Sequence, residues 1–104
     1  MKRNELTAIV MYSFSDDKTR EKFMTKLVDY FSLQKETDRL DQTVWAVPYE
    51  TNTQSLLKSI INELRREELE ISNNDYVDLY CSAVRLNYPR THLKYDNIIR
   101  TNIL

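Results

Sequence analysis

Ile9-Val10-Met11-Tyr12-Ser13-Phe14-Ser15-Asp16-Asp17-Lys18-Thr19-Arg20-Glu21-Lys22 is the stretch that decides the fold. Its first half is apolar, β-branched and aromatic, and reads as a largely buried strand over residues 6–14. Ser15-Asp16-Asp17 then supplies short oxygen-bearing side chains. Such side chains accept hydrogen bonds from the free N–H groups of a starting helix and put negative charge at the positive end of its dipole. Phe23, Leu27, Val28 and Phe31, flanked by Met24 and Tyr30, follow at helical spacing, so a helix should run to residues 31–32. The junction offers one hydroxyl, Ser13, between two aromatics, with two carboxylates just beyond it.

Working outward, residues 33–40 are polar and weakly patterned, with a short edge strand expected over 33–37 and a turn at Asp41-Gln42. Thr43-Val44-Trp45-Ala46-Val47 is the second strong strand, and Pro48 ends it. Thr51-Asn52-Thr53-Gln54 is a capping signature, and Leu56, Leu57, Ile60, Ile61 and Leu64 give the following helix one apolar stripe to residues 66–68. Ile71-Ser72-Asn73-Asn74 breaks the pattern. Residues 75–83 alternate with period two, setting Val77, Leu79, Cys81 and Ala83 against Tyr76, Asp78, Tyr80 and Ser82. After Tyr88-Pro89 comes a tail that still carries Ile98, Ile99, Ile103 and Leu104.

The order β-α-β-β-α-β plus a tail predicts an α+β, ferredoxin-like fold: a four-stranded antiparallel sheet with two helices on one face. Residues 1–84 would form that domain, and 85–104 a basic C-terminal extension suited to docking on a partner subunit. The sheet face opposite the helices, bearing Tyr76 and Tyr80, then needs solvent, ligand or a second copy against it.

Composition narrows the chemistry. A chain of 104 residues, 41% hydrophobic and 11% aromatic, supports one modest core. It contains no glycine, which excludes glycine-rich phosphate loops, dinucleotide fingerprints and nucleophile elbows. Turns must use Asn, Asp and Ser, with Asn73-Asn74 the clearest case, because Asn tolerates the left-handed conformation. A single cysteine, Cys81, leaves no internal disulfide and no paired-thiol metal site, and a reducing compartment fits best. No signal peptide and no membrane-length apolar run is visible, so a cytoplasmic location and no membrane partner are expected.

Net charge is −1, but it is unevenly placed. Residues 63–78 are acid-rich; from Arg85 onward, Arg85, Arg90, Lys94 and Arg100 stand against Asp96 alone. Those four cations are the candidate phosphate contacts of a nucleic-acid surface. Tyr12, Tyr76 and Tyr80 are candidate base-stacking residues, with Tyr76, Tyr80, Ile98 and Ile99 the candidate subunit interface. His92 is the only histidine and has no metal-ligand spacing around it.

Val10-Met11-Tyr12 followed by Ser15-Asp16-Asp17-Lys18-Thr19-Arg20-Glu21-Lys22, together with Gln42-Thr43-Val44-Trp45, resembles CRISPR-associated protein two, the small dimeric subunit of the spacer-acquisition machinery. The likeness spans roughly residues 8–83 and extends to related virulence-associated nucleases and an antitoxin endoribonuclease. It implies a homodimer with a nucleic-acid or protein partner. Nuclease members of that family carry an aspartate directly after the strand-one tyrosine, and a pair of these holds a divalent cation across the dimer. This chain has Ser13 there. A neutral hydroxyl is a poor Mg²⁺ ligand.

The reading is therefore a non-catalytic dimeric binding module with no cofactor. Two alternatives stand beside it: a Mg²⁺-dependent endonuclease or endoribonuclease using Asp16 or Asp17, with Asp16 as the candidate metal ligand, and an antitoxin-like or phage or plasmid regulatory protein.

Overall fold

The computed structural model describes residues 7–82 and 98–104. Five strands and three helices follow in the order β1 (Thr7–Ser13), α1 (Asp17–Phe31), α2 (Lys35–Asp38), β2 (Arg39–Asp41), β3 (Val44–Pro48), α3 (Thr53–Arg66), β4 (Tyr76–Ser82) and β5 (Ile98–Asn102). The fold is α+β. One sheet has the order β2-β3-β1-β4-β5, with every neighbouring pair antiparallel.

The expected four-stranded sheet is corrected to five strands. Ile98–Asn102 pairs with β4 along its length, Tyr80 opposite Arg100 and Cys81 opposite Ile99. Two β-branched residues begin this strand, which suits an extended edge position. Residues 33–37 are not a strand either. α2 makes one turn at Lys35–Asp38, capped where the Gln34 amide donates to Asp38 Oδ2 at 2.8 Å, and the edge strand comes after it as β2.

Alternation in β1 sends Ala8, Val10 and Tyr12 into the core, with Val10 in register with both Trp45 and Leu79. α1 and α3 bury Phe23, Leu27, Leu57, Ile60, Ile61 and Leu64 against that face. Tyr12, Phe14 and Phe23 form an aromatic cluster with ring centroids 4.6–6.0 Å apart. Burying such rings supplies most of the driving force for docking α1. Between the helices, Lys26 Nζ reaches Glu63 Oε1 at 3.0 Å and Glu67 Oε2 at 2.8 Å. Hydrogen bonds from Lys26 to Glu67 and Glu63 raise the lysine pKa, and that from Lys26 lowers Glu67.

The two long helices, α1 and α3, end without glycine by one device used twice. Ser32 and Glu68 adopt positive φ, 52° and 59°, and the next amide reaches back five residues: Leu33 to the Val28 carbonyl and Leu69 to that of Leu64. This is the C-terminal motif that glycine normally serves. Leu33 and Leu69 then pack on the core, which offsets the backbone strain. Asn73 and Asn74 do form the expected turn, but among the described residues the left-handed positions fall to Ser32 and Glu68 instead. No described helix is long and apolar enough to cross a membrane.

Candidate functional site

The strand–helix junction is built by hydrogen bonds that both carboxylates accept. Asp16 is the N-cap of α1: its Oδ2 accepts from the Thr19 amide at 2.9 Å and lies 3.0 Å from the Thr19 hydroxyl. The Thr19 hydroxyl, fully buried, also donates to the Glu70 carbonyl at 2.7 Å. The Thr19 amide chiefly, then its hydroxyl, holds the Asp16 carboxyl below the usual aspartate range. Asp17, in the first turn, pairs with Arg20, and Arg20 Nη1 donates to the Phe14 carbonyl at 2.9 Å. Ser13, by contrast, is exposed at the end of β1, in register with Tyr76.

Asp75 locks the junction to the loop before β4. It accepts from the amides of Ser15 (3.0 Å) and Ser72 (2.8 Å) and from both serine hydroxyls. Burial would push its carboxyl up, yet those bonds, led by the Ser72 amide, bring it below the usual value. Among the described residues, no three His, Cys, Asp or Glu side chains come together as a metal-holding group.

Beside this junction lies a pocket of about 140 Å³ that the sequence reading missed. Tyr12, Arg20, Glu21, Met24, Arg39, Gln42 and Thr43 line it, from the end of β1, the first turns of α1 and the β2–β3 hairpin. Arg39 stands opposite Trp45 in the ladder, its guanidinium 5.5 Å from the indole centroid, and Nη2 donates to the Gln42 carbonyl at 2.9 Å. Arg39 has no ion-pair partner among the described residues. Behind it the fully buried Trp45 Nε1–H has no hydrogen-bond acceptor in proper geometry among the described residues, although the indole lies close enough to the Tyr12 phenol to lower its pKa. Burial dominates at Tyr12 and leaves its pKa raised overall. The usable sequence signal was Arg39 six residues before a buried Trp45, across a tight hairpin.

The expected tyrosine trio is divided. Tyr12 is buried among the core rings and cannot stack a base, which corrects that expectation. Tyr76 and Tyr80 lie on the open face with Ile9, Met11 and Ile98, because these positions share a side of the pleat. Ile99 falls on the helix side of β5, so the four proposed interface residues do not form one surface. Trp45 belongs to the core. Arg100 is on the open face, where its Nη2 reaches Asp78 Oδ2 at 3.0 Å. Asp78 is only 4% exposed, and its Oδ1 has no partner among the described residues. Arg100 thus has a structural task as counter-ion to a buried carboxylate. Arg85, Arg90, Lys94 and His92 lie outside the described residues. The chain matches no protein-family model, and comparisons with curated proteins and with solved structures likewise find no match.

Proposed function

We propose that this chain is a homodimeric, non-catalytic nucleic-acid-binding module with a ferredoxin-like core extended by β5, of the kind that CRISPR-associated protein two represents. The observation that carries the reading is the Arg39–Arg20 pocket at the end of β1: one unpaired guanidinium stacked on Trp45, and a second held in place by Asp17 and the Phe14 carbonyl. Guanidinium forks present several N–H donors in a geometry that matches phosphate oxygens. The basic residues Arg85, Arg90 and Lys94 would add sequence-independent charge.

Asp16 and Asp17 favour this reading over a metal-dependent nuclease. Both are engaged, one with Thr19 and one with Arg20. Drawing either toward a cation breaks those contacts. Dimerisation draws support from the open face, where Tyr76 is 37% and Ile98 49% exposed alongside Ile9, Met11 and Tyr80. Aromatic and aliphatic residues in this arrangement suit the middle of a subunit interface.

The test is binding to single-stranded and duplex oligonucleotides across a salt series. Arg39→Gln should reduce the log–log salt slope by about one, and replacing Arg85, Arg90 and Lys94 with Gln should reduce it further. Arg100 stays native in this experiment, because its loss would strand Asp78. Salt-independent binding, or none at 50 mM salt, overturns the reading. Light scattering over a concentration series decides the oligomer: a monomer at high micromolar concentration removes the dimer from it.

A further inference from the structure

We infer that the pocket beneath Arg39 takes a terminal phosphomonoester rather than an internal phosphodiester, so that the protein recognises the phosphorylated end of a nucleic-acid strand. The inference rests on the nucleic-acid reading above and specifies what that one pocket selects.

Size argues first. At about 140 Å³ the pocket is well below the ~300 Å³ at which drug-sized ligand sites begin. It holds one small polar group, and a nucleoside is left outside. Its walls argue second. α1, the end of β1 and the β2–β3 hairpin each contribute lining residues, so the cavity is surrounded by three elements of the fold. A continuous strand must enter and leave the group it presents, whereas a chain end only enters.

Donor geometry argues third. The lining holds Arg20, Arg39 and Glu21, a formal sum of +1 from two arginines and one glutamate, and Asp17 already pairs with Arg20. Net charge is therefore not what selects; the guanidinium fork is, and an internal diester offers it only two free oxygens. A phosphomonoester carries about −1.5 to −2 at pH 7 and presents three free oxygens. Arg39 is the anchoring group: stacking on Trp45 and the bond to the Gln42 carbonyl fix its plane while leaving most of its five N–H donors available. Tyr12, Gln42 and Thr43 line the same cavity.

The experiment uses one single-stranded oligonucleotide prepared with a 5′-phosphate, with a 3′-phosphate, and with hydroxyls at both ends. Binding to the full chain is followed by Trp45 fluorescence, since the chain has one tryptophan. At least one phosphorylated form should bind about tenfold more tightly than the doubly hydroxylated form, equivalent to about 1.4 kcal/mol. The tighter form identifies which end is read. Arg39→Gln should abolish the difference, and Arg39→Lys, which keeps the charge and loses the fork, should retain only part of it. The Arg85, Arg90 and Lys94 replacement should weaken all three strands and preserve their ratio. Equal binding of the three strands overturns the inference while leaving the nucleic-acid reading intact. If no strand binds, the nucleic-acid reading is wrong and the end-recognition inference falls with it. Titration of inorganic phosphate against the Trp45 indole NMR signal then separates a phosphate pocket of other use, which gives a saturable shift lost in Arg39→Gln, from no phosphate pocket at all.

Discussion

Arg39 and Trp45 face each other across the β2–β3 ladder, and the guanidinium rests 5.5 Å from the indole centroid. The pair joins the exterior of the protein to its core, because Arg39 is exposed while Trp45 is completely buried. A cation over the ring face is attracted by the π quadrupole, and at an exposed site this amounts to about 0.5–1 kcal/mol. Arg39→Ala should therefore lower stability by about that amount and shift Trp45 emission, with the fold retained. Urea unfolding followed by fluorescence and by circular dichroism checks both effects. A loss above ~3 kcal/mol would mean that Arg39 holds the hairpin itself in place, since that exceeds what the contact supplies.

Acid should destabilise the protein through named carboxylates. Asp16, Asp75 and Glu67 all have pKa values held below their ordinary values of 3.8, 3.8 and 4.5. The folded state binds fewer protons there, so the stabilisation is complete above those values. It is lost as pH falls through 4.5 and 3.8 toward the lower folded values. Lys26 and Tyr12 act at the other end. Their raised pKa values mean that stability is full below 10.5 and 10.0 and declines as pH rises past them. The melting temperature should be flat near neutrality and fall on both sides. Asp75→Asn should blunt the acid limb, because it removes the carboxylate that four serine donors hold ionised. An unchanged acid limb in that variant would count against Asp75 as a contributor.

Phe23 is the residue on which α1 docks. It is fully buried and lies 4.6 Å from the Tyr12 ring and 5.2 Å from Phe14, centroid to centroid. Phe23→Ala should cost about 3–5 kcal/mol, and Phe23→Leu clearly less, since leucine refills most of the volume. Chemical denaturation measures both. Similar small losses for the two would show that the aromatic cluster is loosely packed.

The long periodic elements could be read from sequence because a single face decided each of them. Phe23 and Leu27, Leu57 to Leu64, and the alternation around Val77 all stated their packing side directly. Residues 33–37 failed for a local reason: the Asp38 carboxylate caps the Gln34 amide, and a four-residue turn carries no periodicity. The Thr51-Asn52-Thr53-Gln54 signature placed α3 correctly but not its chemistry. Asn52 is the N-cap and makes no side-chain bond; the Thr53 hydroxyl instead accepts from the Glu50 amide and donates to the Pro48 carbonyl. β5 was assigned to a partner subunit rather than to this sheet, because pairing with β4 depends on residues far away in sequence, and Ile98 and Ile99 alone do not specify a partner. The candidate site was half legible. Asp16 announced a cap, while the Arg39 pocket required knowing that the β2–β3 hairpin folds back beside α1.

Ser13→Asp tests the family likeness at the position where this chain departs from it. Ser13 is exposed, sits at the end of β1 opposite Tyr76, and shares the open face with Met11 and Ile9. Two copies that meet through this face, with the symmetry of the family dimer, bring their Ser13 positions together. The wild-type protein should then show no divalent-dependent change in melting temperature, because two neutral hydroxyls offset little of the dehydration of Mg²⁺. With aspartate at both positions, like charges repel and the metal-free dimer should melt lower than wild type. Mg²⁺ or Mn²⁺ should restore it: a cation at ten times its Kd contributes about 1.4 kcal/mol, and chelator should reverse the gain. Asp16→Asn in the same background separates the local alternative, in which the new carboxylate recruits the α1 cap within one subunit. If metal rescue persists in that double variant, the site lies between copies. If it disappears, the two carboxylates belong to one chain. If Ser13→Asp shows neither the metal-free loss nor the rescue, the two Ser13 positions do not meet, and the resemblance to the family dimer fails at its most specific point.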